Sequence, residues 1–227
     1  MGNNTKIKLA NKKIVTMINP NYPAPKLVAA VGGMGFDAVF VDCEHGPHSM
    51  ETVGNFSLAA KAAGINTIVR PDSEAPHTIT RYLDQGMDGV MVPHVDTKAA
   101  AEKVVQTIRY CRHSNFNDTL VICMIESVTA VENIDSILEV EDIDVFFVGP
   151  GDMSGSMGLH GQMKHPDVLE KCDYAFSKIN EAGRCAGTLA DYENTPDLIK
   201  KGVTFLYLHV NHLLAKGARD FHSLVPK

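Results

Sequence analysis

Residues 35–71 read GFDAVFVDCEHGPHSMETVGNFSLAAKAAGINTIVRP, a stretch that contains one complete strand, helix and following strand. Ala38 to Cys43 is a short apolar run rich in β-branched and aromatic residues, the composition of a strand covered on both faces. Ser49 can cap a helix, the apolar residues that follow recur at helical spacing to Ala63, and Gly64 stands where a left-handed cap would end it. Asn66 to Arg70 then begins the next strand. Because a parallel strand needs a crossover of this length, the unit predicts a βαβ fold.

The same rhythm runs through the chain in both directions. Further strands are expected at Lys13 to Ile18, Gly89 to His94, Leu120 to Glu126, Val145 to Val148, Arg184 to Leu189 and Phe205 to Val210. Helices are expected at Ala24 to Met34, Ala75 to Gln85, Thr97 to Tyr110, Ser127 to Val140, His165 to Ala182, Thr195 to Lys201 and Asn211 to Leu224. Thr97 and Ser127 are further N-cap candidates, and Gly35, Gly86, Gly183 and Gly202 further C-caps. Eight such units predict a single-domain α/β protein, a (β/α)8 TIM barrel over residues 1–227. An open doubly wound sheet would carry a glycine-rich turn after its first strand, but Ile18 to Pro23 is rich in Asn and Pro.

Composition narrows the function. With 44% apolar and 21% charged residues the chain is ordinary for a globular protein, and it contains no stretch of ~18 apolar residues that would span a bilayer. The net charge of −6, without a basic stripe, argues against nucleic acid as a partner. Met1 to Lys13 carries lysines but no signal-like apolar run, so a cytoplasmic location is expected. Five cysteines without a C-x-x-C pair suggest reduced thiols rather than disulfides or a zinc cluster.

In such a barrel chemistry sits where strands end. The second strand delivers Asp42, Glu44 and His45, the third Arg70, the fourth His94, the fifth Glu126 and the sixth, through Val-Gly-Pro-Gly-Asp-Met-Ser, Asp152. Glu126 and Asp152 come from adjacent strands and can converge on one hard divalent cation, leaving positions for water or substrate. His45 can serve as a general base, with Asp42 or Glu44 orienting its ring. Arg70 can hold a carboxylate or enolate oxygen, and the main-chain N–H groups of Gly151 and Asp152 can receive a substrate carboxylate. Each feature also has a plain reading: carboxylates that pair with Arg70 or cap a helix, and a simple tight turn. Of the other histidines, His48, His77, His113, His160, His165 and His222 read as surface or cap residues.

These motifs, in this order, resemble the HpcH/HpaI aldolase and citrate lyase family of metal-dependent pyruvate aldolases. The likeness covers nearly the whole chain and rests on Gly35-Phe36-Asp37, Val41-Asp42-Cys43-Glu44-His45-Gly46, Val69-Arg70-Pro71, Asp84-Gln85-Gly86 with Val92-Pro93, Ile125-Glu126-Ser127 and Gly149-Pro150-Gly151-Asp152-Met153-Ser154. It implies a carbon-carbon lyase that cleaves or forms 4-hydroxy-2-oxoacids through a pyruvate enolate. Glu126 and Asp152 would bind Mg2+ or Mn2+, with Co2+ or Zn2+ as alternatives. His45, oriented by Asp42, would move the proton, Arg70 would steady the enolate oxygen, and Gly151 and Asp152 would hold the pyruvate carboxylate. Oxoacid and aldehyde substrates and a homo-oligomer, a hexamer with an exchanged last helix, belong to the same implication. The chain departs from the family in the short connection Cys111 to Thr119 and in Met124, where many members carry glutamine. Two other outcomes stay open: a relative of the same family that handles a different oxoacid, by oxaloacetate decarboxylation or a citrate-forming reaction, and a barrel that binds small molecules without turnover.

Overall fold

The computed structural model describes residues 3–226. Eight parallel strands close in sequence order, β1 pairing with β2 and so on until β8 returns to β1. They are β1 (Val15–Asn19), β2 (Ala38–Asp42), β3 (Asn66–Arg70), β4 (Gly89–Val92), β5 (Leu120–Ile125), β6 (Val145–Val148), β7 (Ala186–Leu189) and β8 (Val203–His209). The expected barrel is therefore present, with strand ends displaced by at most a few residues.

The helices are α1 (Asn4–Ala10), α2 (Pro25–Gly32), α3 (Met50–Ala63), α4 (Pro76–Asp84), α5 (Lys98–Arg112), α6 (Val128–Glu132), α7 (Ile134–Leu138), α8 (Pro150–Ser156), α9 (Pro166–Glu181), α10 (Thr195–Lys200) and α11 (Val210–Ser223). Their ends follow local chemistry. The side chains of Ser49, Thr97 and Ser127 accept hydrogen bonds from the N–H groups of Thr52, Ala100 and Ala130, so each caps the helix it was expected to start. The five expected C-terminal glycines all have positive φ, between 70° and 87°.

Two expectations change, and the last helix is seated only in part. The helix foreseen over Ser127 to Val140 is two short helices, α6 and α7, meeting at Asn133, whose side chain donates to the Asp96 carbonyl. The connection Cys111 to Thr119 is not a loop: α5 continues to Arg112 and a 3-10 turn covers His113–Asp118. The last helix does not lie down on the barrel through its whole apolar face: Val210 is buried and Leu213 packs on the core, whereas Leu214 and Phe221 are 58% and 64% exposed.

Strand alternation divides the core in two. Val39, Val41, Val69, Val90, Val121 and Val148 face the helices in the outer core. Met17, Phe40, Ile68, Met91, Met124 and Phe147, with their neighbours, fill the barrel itself. The barrel is thus packed rather than hollow.

At the N-terminal end a repeated device ties the strands. Asp37, Asp88 and Asp144 precede β2, β4 and β6, and each carboxylate accepts the N–H of the strand before, from Thr16, Thr67 and Val121, at 2.8 Å. Helix α1 closes this end: Lys8 reaches Asp37 at 2.6 Å, Lys6 reaches Asp144 at 3.0 Å, and Asn3 donates to the carbonyls of Asp88 and Asp118. The opposite end stays open for chemistry.

Candidate active site

Asp42 and Arg70 end neighbouring strands in register with each other. Arg70 donates through Nε to Asp42 Oδ1 at 3.0 Å and through Nη2 to Oδ2 at 2.6 Å, a fork that fixes both side chains. Its Nη1 lies 3.1 Å from Glu44 Oε2. A guanidinium has five N–H groups, and these three contacts leave two for a ligand. Burial alone would raise the Asp42 pKa, but the Arg70 pair and the backbone N–H groups of His45 and Glu44 more than offset it, so the carboxyl sits below its usual value. Burial disfavours the Arg70 charge, yet Asp42 first and Glu44 next keep it firmly protonated.

This geometry corrects one expectation. Asp42 does not orient the His45 ring; it accepts the His45 main-chain N–H at 3.2 Å and spends its carboxylate on Arg70. The carboxylate beside the imidazole is Glu44, with His45 Nε2 3.8 Å from Glu44 Oε2. The His45 side chain is 66% exposed and stands at the mouth.

Glu126 lies deeper. Its side chain is fully buried, Oε1 accepts the main-chain N–H of His94 at 2.8 Å, and Oε2 is buried with no hydrogen-bond partner. Burial, and then the nearby charge of Asp152, push its pKa up to about 7 despite the opposing contributions of His94 and Arg70. Asp152 is in the first turn of α8 and exposed. Gly149 is required here: a Cβ at that position would come within 2.8 Å of Glu126 Oε2. Helix α8 starts at Gly149 without a side-chain cap, so the N–H groups of Gly151 and Asp152 face outward unclaimed by a cap. Met124 lies directly beneath, buried in the barrel interior.

His94 joins the two halves. Its Nδ1 is 3.2 Å from Glu126 Oε1 and its Nε2 3.5 Å from Glu44 Oε1. It holds φ at 56°, an uncommon backbone state for a residue with a side chain. The sequence pointed to His94 only as a strand-end histidine; its place between two glutamates comes from the turn after Pro93.

A divalent cation suits this site. An ionised carboxylate oxygen left buried without a partner is costly, and the unpaired Glu126 Oε2 next to Asp152 is a place where a cation would remove that cost. Among the described residues no three His, Cys, Asp or Glu side chains form a ready-made metal cage, so protein ligands would occupy only part of a coordination sphere, as oxygen-bound Mg2+ usually shows.

Other expectations are resolved plainly. His77, His113, His160 and His222 are exposed, and His165 caps α9. His48 instead packs on Phe56, ring centroids 5.2 Å apart, with Nδ1 buried and unpaired. Residues at the end of β8 and β1 were missed: Tyr207, His209 and Asn19 form a hydrogen-bonded series at the same mouth. The signal was present, since Tyr207 and His209 alternate along a strand and so share its inner face. The five cysteines are free, and no helix among the described residues is long and apolar enough to cross a membrane.

A closed parallel barrel whose open end gathers two glutamates, two aspartates, an arginine and three histidines is the architecture of a TIM-barrel enzyme. The chain belongs to the HpcH/HpaI aldolase/citrate lyase family, whose profile matches residues 18–215, and it is a carbon-carbon lyase. A hydroxypyruvate/pyruvate aldolase of Deinococcus radiodurans is 33% identical over 86% of this chain and 79% of its own length. A 5-keto-4-deoxy-D-glucarate aldolase of Shigella boydii is 29% identical, covering 90% and 88%. Among solved structures, a family protein from Burkholderia cenocepacia superposes with a TM-score of 0.89 at 22% identity, covering 97% and 98%. A citrate synthase superposes with 0.85 at 28% identity, covering 96% and 97%.

Proposed function

We propose that residues 1–227 act as one catalytic domain, an aldolase that cleaves or forms 4-hydroxy-2-oxoacids through a pyruvate enolate, with Mg2+ or Mn2+ held by Glu126 and Asp152. The observation that carries this reading is the buried, partnerless Glu126 Oε2 below Asp152. When bound, a divalent cation supplies Lewis acidity that stabilises negative charge on the oxygens of an oxoacid. The chain supplies the rest. The two uncommitted N–H groups of Arg70 steady the oxygen on which enolate charge develops, and Asp42 holds the guanidinium in place so that little reorganisation is needed as charge forms. Gly151 and Asp152 offer main-chain N–H groups to the pyruvate carboxylate. His45 Nε2 accepts the proton of the C4 hydroxyl as the C3–C4 bond breaks; the bonding electrons pass into the enolate, an aldehyde departs, and a proton returned to C3 completes pyruvate.

The test is release of pyruvate from a panel of 4-hydroxy-2-oxoacids, with and without a chelator. Chelator-sensitive release supports the reading, and its absence from every member of the panel refutes it. The likeness to a citrate synthase at 28% identity favours a second reading in which oxaloacetate is the oxoacid handled at this site, so oxaloacetate belongs in the panel: pyruvate formed from it with loss of carbon dioxide would mark decarboxylation as the activity.

We also propose that α11 docks on a second copy of the chain. A groove of about 320 Å³ runs over the outer faces of β8 and β1, lined by Thr16, Phe36, Pro196, Leu206 and Leu208. This is the slot between α10 and α2 where an eighth barrel helix would pack, and α11 leaves Leu214 and Phe221 bare. An α11 exchanged between subunits would cover both surfaces, as in the hexamers that the family resemblance implies.

A further inference from the structure

At the end of the barrel away from Glu126 and Asp152, a cavity of about 480 Å³ lies between α1 and the segments that lead into β6, β7 and β8. Lys6, Lys12 and Arg184 line it, Leu9 and Ile143 give it an apolar surface, and Asp144 is the one carboxylate among the described residues of its wall. Three cations therefore face a single anion, in a chain whose net charge is −6.

Asp144 is already committed, since it accepts the N–H of Val121 at 2.8 Å and pairs with Lys6 at 3.0 Å. Lys6 also donates to the Thr119 carbonyl at 2.9 Å, which leaves one of its three N–H groups. Arg184 spends three of its five N–H groups on the main-chain carbonyls of Leu138, Val140 and Ile143, at 2.8, 3.1 and 2.8 Å. Carbonyls satisfy hydrogen bonds without cancelling the charge. Asp144, Glu141 and Asp142 act on the guanidinium only from beyond ion-pair distance, and Asp142 is itself paired with Arg109. Burial accordingly pulls the Arg184 pKa below its usual value against the effect of those three carboxylates.

Lys12 is unusual in its backbone as well. The N–H groups of Lys12 and Lys13 reach the carbonyls of Leu9 and Lys8 at 2.8 and 3.0 Å, the paired bonds that end a helix in a left-handed residue. Lys12 is that residue, with φ of 54°. Glycine takes this position without strain, whereas a side chain is held there against a steric penalty. Nothing inside the protein repays it: Lys12 is exposed, and among the described residues its ammonium has no ion-pair partner.

We propose that this cavity is a second binding site, for a small phosphate monoester. Two cations without close counter-charges, Lys12 and Arg184, match the charge of such a group, about −1.5 to −2 at neutral pH. Its oxygens accept from N–H groups that arrive from the end of α1 on one side and from the start of β7 on the other. The space exceeds that of a bare phosphate, and Leu9 and Ile143 offer a surface for a short carbon chain. A ligand that joins α1 to β7 stabilises the folded chain by mass action. The site is independent of the aldolase reading, because it lies at the opposite end of the barrel from the groups that reading uses.

Glycerol 3-phosphate is the probe, titrated by calorimetry into the Mg2+-loaded enzyme at constant ionic strength, with succinate as a dianion that lacks phosphate. One glycerol 3-phosphate should bind per chain, more tightly than succinate, and the thermal midpoint should rise with its concentration. Lys12→Gly should weaken binding by about tenfold or more, since charge-assisted hydrogen bonds are lost. The same change should leave the midpoint of the ligand-free enzyme unchanged or raised, which separates lost binding from lost folding. Lys12→Arg should keep most of the affinity, and Lys103→Gln, on the exposed side of α5, should change nothing. Saturating pyruvate should leave the titration as it is. Displacement by pyruvate, an affinity untouched by Lys12→Gly, succinate bound as tightly as glycerol 3-phosphate, or no saturable binding overturns the proposal.

Discussion

Glu126 and Asp42 are both buried carboxylates, and they are held in opposite ways. Asp42 has the Arg70 fork and two backbone donors, and its pKa falls; Glu126 has one oxygen satisfied and one bare, and its pKa rises to about 7. The consequences for mutation differ. Glu126→Gln should abolish turnover while leaving thermal stability unchanged or improved, because it removes an ionisable group that the folded protein strains to accommodate; retained kcat/KM would contradict the assignment. Asp42→Asn should instead destabilise the fold by about 2 kcal/mol at neutral pH, because the buried Arg70 loses the charge-assisted fork and keeps only Glu44 as a close counter-charge. The sign of the pH dependence follows from the lowered folded pKa. The Asp42 contribution is fully present above the ordinary carboxylate pKa and is lost as pH falls through the folded value. Denaturation midpoints measured from neutral to acid pH should therefore fall more steeply for wild type than for Asp42→Asn, and parallel curves would show that the pair does not set this dependence.

Secondary-structure elements were the most legible part of the sequence, and the reason is local. Ser49, Thr97 and Ser127 satisfy orphan N–H groups within three residues, and Gly64 adopts φ of 73°, which residues with a side chain rarely do. These signals need no knowledge of the rest of the chain. Ser127→Ala should accordingly cost about 1 kcal/mol, read from the urea midpoint, and no loss would mean that α6 is held by packing alone. What escaped was non-local. The break between α6 and α7 rests on a bond from Asn133 to the Asp96 carbonyl, 37 residues away in sequence. The short helices α1 and α8 have weak periodicity, and α1 is fixed by ion pairs to Asp37 and Asp144 that only the folded barrel brings near. Strand-end residues were readable for a related reason. The barrel places its mouth at a known end of each strand, so Asp42, Arg70 and Glu126 could be found, whereas the partner each would choose could not. Asp42 binds Arg70 rather than the His45 ring because the β2 and β3 register sets those two side by side.

For the whole molecule the unsettled surface is α11 and the groove beside it. Leu214, Phe221 and Leu224 are 58%, 64% and 80% exposed, and burying such side chains is worth roughly 1.5–3 kcal/mol each. A second copy would supply that burial, so wild type should run in light scattering as an oligomer. Phe221→Asp with Leu214→Asp should shift it toward the monomer mass, and a monomeric wild type would show that α11 is free. The mouth makes a stricter demand, because the proposed enolate chemistry requires Glu126, just after β5, and Asp152, in the first turn of α8, to act on the same ion. Mn2+ titration followed by electron paramagnetic resonance reads this directly. One Mn2+ should bind per chain, and Glu126→Gln and Asp152→Asn should each weaken it by more than about tenfold. Manganese bound as tightly by either variant as by wild type would contradict the account.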